Sequence, residues 1–186
     1  MHYRKAASIY VEKGALVNEG RTRSNLANTL QKLNRLQEAR QEILRGIECK
    51  SSLDSEPWKS WDILANIETA EGNHAAAKKA RDQARQLYGQ YRRNGGESHE
   101  SSAQWCQDTA VAIEQGQVAQ ERAVFEQAAQ NAKIPPEAKI LAQVLLAILA
   151  GQRQPELADT DGLSYDMAVE VELLLEHLAA KRNCKE

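Results

Sequence analysis

The chain has 186 residues, of which 42% are hydrophobic and 27% charged, and its net charge is −2. This composition is that of a folded protein, and it excludes a disordered or strongly basic chain. With 10 Gly, 4 Pro and few β-branched alternations, the sequence predicts an all-α fold. No apolar run approaches the ~20 residues of a membrane helix, and three scattered cysteines favour a reducing compartment, so we expect a cytoplasmic protein.

The charges are divided unevenly between the two halves of the chain. Residues 1–96 contain 17 Lys/Arg and 11 Asp/Glu, whereas residues 97–186 contain 7 and 15. Such a division is typical of separate binding faces or of head-to-tail self-association between a basic N-terminal half and an acidic C-terminal half. It is more often typical of solvated helix surfaces whose composition drifts along the chain.

The first half of the chain predicts five helices separated by recognisable breaks. Gly14, Asn34 and Gly72 suit tight turns because Gly and Asn tolerate left-handed backbone conformations, and Pro57 suits the first turn of a helix. The first helix resembles the second half of a helical hairpin whose first half is missing. The predicted helices span residues 2–13, 16–32, 36–49, 58–70 and 74–91.

Two copies of one helix-turn-helix pattern lie within residues 24–91. When the copies are aligned on their turns at Asn34 and Gly72, small residues coincide in both. Small residues at a helix–helix seam allow close approach of the two antiparallel helices. The coinciding positions are Leu26-Ala27 with Leu64-Ala65, Ala39 with Ala77, and Gly46 with Ala84.

The second half continues the pattern in a weaker form. Trp105 precedes Gly116 as Trp61 precedes Gly72, but Glu121 stands where the pattern expects alanine. Further helices follow from Pro136 to about residue 150 and from Ser164 onward. The expected polar side of the last helix carries Asp166, Glu170, Glu172 and Glu176. We predict repeats in residues 1–93, a linker at 94–102, and a degenerate repeat with a C-terminal helical cap in 103–186.

These motifs resemble the tetratricopeptide repeat, and the arrangement is similar to the C-terminal end of a larger bacterial protein of that family. The resemblance implies a right-handed α-solenoid of about nine helices. Arg81 departs from the family pattern, which favours a bulky residue there. Turn-to-turn spacings of 38 and 44 residues also exceed the usual ~34. The matching residues are Leu26, Ala27, Ala39, Gly46, Trp61, Leu64, Ala65, Gly72, Ala77, Ala84, Trp105, Gly116, Phe125 and Ala128.

The resemblance implies a concave groove, lined by the first helix of each repeat, that binds a peptide or a partner helix. Amides there hold an extended backbone and cations meet its carboxylates, although the same residues are also typical of a solvated helix face. Ser24 and Asp62 stand where carboxylate-clamping members have lysine, so we do not expect capture of a C-terminal carboxylate. The candidate groove residues are Arg21, Asn25, Asn28, Gln31, Lys32, Lys59, Asp62, Asn66 and Thr69.

The sequence contains no motif for catalysis, for a cofactor or for a metal ion. Its four histidines have no partner motif, and His99 with Cys106 supplies only two candidate metal ligands. We therefore expect neither an enzyme nor a metalloprotein.

The first hypothesis for function is a protein–protein interaction scaffold. The alternatives are a sensor or regulatory arm of a larger bacterial signalling protein and, less favoured, an RNA-binding helical repeat. The RNA alternative depends on basic residues from Lys78 to Arg93 that are interleaved with Tyr88 and Tyr91.

Overall fold

The computed structural model describes residues 2–183, with the side chains of Asp54, Arg182 and Asn183 left aside. Cys184 lies outside the described residues. Within them the protein contains helices and no strands, which confirms the all-α prediction. The α-helices are α1 (His2–Glu12), α2 (Leu16–Lys32), α3 (Leu36–Glu48), α4 (Pro57–Ala70), α5 (His74–Arg93), α6 (Ser101–Gln115), α7 (Val118–Gln130), α8 (Pro136–Leu149) and α9 (Tyr165–Asn183).

The chain forms two compact units, Met1–Gly95 and Gly96–Glu186. Unit 1 contains α1 to α5 and unit 2 contains α6 to α9. Helix α9 starts at Tyr165, directly after Ser164, where the sequence predicts its beginning. Helix α6 starts at Ser101, inside the segment 94–102 that the sequence predicts as a linker.

The turns of unit 1 are formed by the residues that the sequence indicated. Asn34 has a left-handed φ of 57° and Gly72 has a φ of 79°. Asn is one of the few residues with a side chain that adopt this conformation readily, and Gly adopts it without steric cost. Each turn reverses the chain, so that α2 packs on α3 and α4 packs on α5.

The core of unit 1 is built from the small and aliphatic residues that recur in the two copies. Ala27, Ala39 and Ala65 are fully buried, and Leu26, Leu30, Ile43, Leu64 and Ile67 pack around them. Their burial confirms the prediction that small residues lie at the helix–helix seams. Neighbouring helices pack against each other throughout unit 1, whereas the right-handed solenoid remains a prediction.

Helices α2 and α3 approach most tightly where two glycines meet. A Cβ atom placed on Gly46 would lie 3.1 Å from Ser24 Oγ, and one on Gly20 would lie 3.0 Å from Cys49 Cβ. Contacts this short force neighbouring atoms to move. Because the start of α2 lies against the end of α3 here, the two helices are antiparallel.

The core of unit 2 is centred on α8 and α9 rather than on a third hairpin. Leu141, Leu145 and Ile148 of α8 pack with Val171 and Leu174 of α9. Helix α6 contacts α9 more extensively than it contacts α7, and α7 packs mainly on α8. The degenerate third copy therefore does not pack in the way that the two hairpins of unit 1 do.

Two acidic side chains of unit 2 are shielded from solvent. Glu170 is only 3% exposed, so its prediction as part of a charged outer side of α9 is wrong. Glu170 shares its side of α9 with Asp166 and His177, and this polar side packs against α6, where Ser102 bonds Asp166 and Glu114 bonds His177. Glu121 is half-buried, and burial together with the negative charge of Asp108 raises its pKa.

Candidate partner-binding surface

Helices α2 and α4, the first helices of the two copies, lie in direct contact. The hydroxyl oxygens of Ser24 and Ser60 are 2.9 Å apart and share a buried hydrogen bond, and Ser24 Oγ also lies 2.8 Å from Gly20 O on its own helix. Helix α4 runs antiparallel to α3, because Arg40 near the start of α3 pairs with Glu68 near the end of α4. Since α2 is also antiparallel to α3, α2 and α4 run parallel, side by side.

We call the nine candidate groove residues the α2/α4 surface. On α2, Arg21, Asn25, Asn28 and Lys32 recur at intervals of three or four and therefore share one helix face. Arg21, Asn25 and Lys32 are exposed, whereas Asn28 and Gln31 are half-buried. All five side chains thus retain solvent contact on the helix that pairs with α4.

On α4, Lys59, Asp62, Asn66 and Thr69 likewise follow helical spacing. Lys59 Nζ donates a hydrogen bond of 2.5 Å to Glu56 Oε1, and Asn66 Nδ2 donates one of 3.4 Å to Asp62 Oδ2. Thr69 Oγ1 donates to Ala65 O at 2.8 Å and accepts from Arg81 Nη2 at 2.7 Å. The hydroxyl of Thr69 is therefore already engaged, whereas the Asn66 bond is longer than a typical hydrogen bond.

A network of ion pairs around the buried carboxylate of Glu19 links α2 to α3. Glu19 is 1% exposed and accepts hydrogen bonds from Arg23 Nε at 2.8 Å and Arg45 Nε at 3.0 Å. Burial by itself would raise the pKa of Glu19, but its two arginine partners hold it below the ordinary value. Arg23 also binds Glu42 at 2.6 Å, so the network fixes α2 to α3.

A second buried carboxylate fixes α3 to α4. Glu68 is 3% exposed and accepts hydrogen bonds from Arg40 Nε at 2.7 Å and from Asn73 Nδ2 at 2.9 Å. Burial opposes ionisation, yet these two donors keep the pKa of Glu68 below 4.5. Because these carboxylates hold the helices in register, they also set the positions of the α2/α4 surface residues.

Sequence reasoning missed Lys50, which follows α3 and lies near this surface. It is 7% exposed, and burial lowers its pKa; the negative charge of Glu56 opposes this, and the positive charges of Arg21 and Lys59 add smaller effects in the same direction as burial. The position of Lys50 next to Ser51 and Ser52 predicts an exposed loop. Lys50 is buried because its side chain packs against Gly20. No local sequence pattern reveals a contact between residues so far apart in the chain.

The aromatic residues of the basic segment on α5 pack inside unit 1. The ring of Tyr88 is buried, 5.6 Å from Trp58, and the ring of Tyr91 lies 4.6 Å from Trp58. Base stacking needs an accessible aromatic face. Tyr88 does not offer one, so the RNA alternative loses one of its two supporting aromatics.

Among residues 2–183, no group of three or more His, Cys, Asp or Glu side chains is arranged to hold a metal ion. None of the described helices combines the length and apolar character needed to cross a membrane. His177 bonds Glu114 Oε1 at 2.7 Å in a surface ion pair that also includes Lys181.

No protein-family model, curated protein or solved structure matches this chain. The resemblance to tetratricopeptide repeats therefore remains a prediction from the residues that carry it.

Proposed function

We propose that unit 1 is a tetratricopeptide-like solenoid that binds a segment of another protein along the α2/α4 surface. One observation chiefly supports this proposal: α2 and α4 run parallel, each antiparallel to α3, and touch through the 2.9 Å bond between Ser24 and Ser60. The polar faces of two helices then lie side by side rather than on opposite sides of the unit. An extended peptide or a partner helix can contact both faces at once.

The side chains on this surface suit recognition of a polypeptide. Asn25 and Asn66 are exposed and Asn28 is half-buried, and each amide offers both a donor and an acceptor. Amides of this kind can bond to the backbone of an extended segment without regard to its side chains, while Arg21 and Lys32 add positive charge. The proposed partner is therefore a protein segment that carries at least one acidic group.

The test of this function compares partner recovery from a lysate by two double variants of the full chain. Asn28→Ala with Asn66→Ala removes amides from α2 and α4. Gln41→Ala with Gln86→Ala removes two exposed amides from the second helices α3 and α5 and serves as the matched control. Partners are identified by mass spectrometry, and circular dichroism checks that helicity is retained.

We expect the first double variant to recover about tenfold less of a specific partner, because hydrogen bonds at an interface contribute roughly 0.5–1.5 kcal/mol each. The control is expected to recover wild-type amounts. Equal recovery by both double variants, with helicity intact, would contradict the assignment of the α2/α4 surface.

A further inference from the structure

Lys50 is a charged residue in an unusual position. Lysines are almost never fully buried without a partner, yet Lys50 is 7% exposed. Its Cγ atom lies 3.0 Å from the point where Gly20 would carry a Cβ, so its aliphatic stem lies flat on α2. No hydrogen bond or ion pair connects its ammonium group to another described side chain. Since each solvent-inaccessible side-chain nitrogen in the described residues has a hydrogen-bond partner, the Lys50 ammonium group retains access to solvent.

Two further cations lie close to Lys50. The Ser24–Ser60 bond fixes the register of the parallel helices, and Arg21 lies one helical turn before Ser24 while Lys59 directly precedes Ser60. Lys50 Cγ packs at Gly20, and Ser24 bonds both Gly20 O and Ser60, so Arg21, which follows Gly20, and Lys59, which precedes Ser60, flank this same contact. Three cations from α2, α4 and the connecting loop therefore lie around the start of α4, and the charges of Arg21 and Lys59 lower the pKa of Lys50 after the larger effects of burial, which lowers it, and Glu56, which raises it.

Among the described side chains, Glu56 is the carboxylate whose charge acts on Lys50, and its one negative charge leaves two of the three positive charges uncompensated. Glu56 is the nearby carboxylate, and its Oε1 already bonds Lys59 Nζ at 2.5 Å. Glu56 also has a left-handed φ of 54°, which is unusual for a residue with a side chain and occurs preferentially at functional sites. The first turn of α4 adds the partial positive charge of a helix N-terminus.

We propose that Lys50, Arg21 and Lys59 form an oxyanion subsite at one end of the α2/α4 surface. The subsite takes a carboxylate or phosphate group carried by the bound protein segment. An anion there offsets the like-charge repulsion of the three cations and forms charge-assisted hydrogen bonds with them. The identity of the carrier depends on the proposed function, whereas the subsite itself can be tested with free anions.

The test is a titration of the isotope-labelled full chain with sodium phosphate and, separately, sodium acetate, at an ionic strength held constant with sodium chloride. Backbone amide signals of Gly20, Arg21, Lys50 and Lys59 report binding. Lys50→Met keeps the length of the stem and removes the charge. Lys79→Met, on the exposed side of α5, is the matched control.

We expect saturable shifts at these four residues in wild type and in the control. Lys50→Met is expected to weaken anion binding about tenfold, because a hydrogen bond to a charged group is lost. This variant removes a buried charge, so we expect it to fold at least as stably as wild type. Arg21→Gln, at an exposed position outside the core, is a second variant with the same expected weakening. Saturable binding of acetate shows that the subsite accepts a carboxylate, whereas binding of phosphate alone assigns it to a phosphate group.

The absence of saturable shifts with both anions would overturn the subsite, as would equal affinity of wild type and Lys50→Met. These outcomes are distinct from failure of the proposed function. If anions do not bind but Asn28→Ala with Asn66→Ala still impairs partner recovery, only the subsite is wrong. If anions bind as expected but that double variant recovers the partner normally, the subsite stands and the wider surface is wrong.

Discussion

At the scale of single residues, two buried carboxylates are central to the helical packing of unit 1. Glu19 of α2 bonds Arg45 of α3, Arg23 of α2 bonds both Glu19 and Glu42 of α3, and Glu68 joins α3 to α4 through Arg40. Burying a carboxylate is costly unless charged donors compensate for lost hydration. In both cases the donors outweigh the effect of burial, because the pKa values of Glu19 and Glu68 are lowered. Both residues are therefore ionised in the folded protein at neutral pH.

Replacing Glu68 with glutamine is expected to lower the free energy of unfolding by about 1–3 kcal/mol at pH 7, the usual cost of disturbing a buried, charged hydrogen-bond network. Arg40 is 45% exposed, so solvent screening places the value toward the lower end. The pKa of Glu68 is lowered from 4.5 by folding, so its contribution is present above pH 4.5 and is lost as the pH falls through the lower, folded value.

The measurement is urea unfolding of wild type and Glu68→Gln from pH 7 to pH 3. Glu12→Gln, at an exposed position on α1, is the control and is expected to change stability by less than about 0.5 kcal/mol. The difference between wild type and Glu68→Gln should shrink as the pH falls below 4.5. A difference that stays constant down to pH 3 would mean that the ionised carboxylate of Glu68 does not stabilise the fold.

Local patterns predict some of these residues and miss others for a physical reason. Asn34 is predictable because a left-handed turn depends on the residue's own backbone preference. Glu19 and Lys50 are not, since each is buried by residues far along the chain, Arg45 in one case and Gly20 in the other. The amphipathic pattern of α2 predicts only that a glutamate lies on a polar side.

At the scale of elements, the crossing of α2 and α3 depends on two glycines. Gly46 was predicted as a seam residue from its match with Ala84, whereas Gly20 falls outside the matched positions. The structure brings both to one contact, where Gly46 O lies 3.1 Å from a Cβ built on Gly20. A contact this short is tighter than most real Cβ contacts, so a larger residue at position 20 would require the neighbouring backbone of α3 to move by a few tenths of an ångström.

Gly20→Ala is expected to lower the free energy of unfolding by about 1–2 kcal/mol, measured by urea unfolding. Overpacking costs roughly 1–3 kcal/mol, and the better helix propensity of alanine recovers up to about 1 kcal/mol. Asn18→Ala, at an exposed position on the same helix, is the control and is expected to raise stability by a few tenths of a kcal/mol. An equal increase in both variants would show that Cys49 and Lys50 move aside without cost.

The sequence predicts where the helices begin and end more accurately than which helices pack together. Asn34, Pro57 and Gly72 mark helix ends through their own backbone chemistry, and the observed helices end within about two residues of the expected positions. The partner of α6 could not be predicted in this way. The like charges of Glu121 on α7 and Asp108 on α6 lie close enough to interact, whereas α6 is joined to α9 by the Ser102–Asp166 and Glu114–His177 bonds.

At the scale of the whole molecule, the chain combines a basic and an acidic unit of different construction. Unit 1 is a succession of packed hairpins, and unit 2 is built around α8 and α9. The all-α class was predictable from composition, since it depends on summed propensities. Three expectations cannot be judged from single helices and remain predictions. They are the solenoid, self-association through opposite charges, and the cytoplasmic location.

The most direct test of the central claim is a chemical-shift map of the labelled full chain titrated with the partner recovered by unit 1. We predict that the largest shifts occur on α2 and α4, including the side-chain amides of Asn25, Asn28 and Asn66, with Lys50 shifting when the partner segment carries an acidic group. Small shifts are expected on the outer sides of α3 and α5. Shifts concentrated on α3 and α5, or on α6 to α9, would contradict the account.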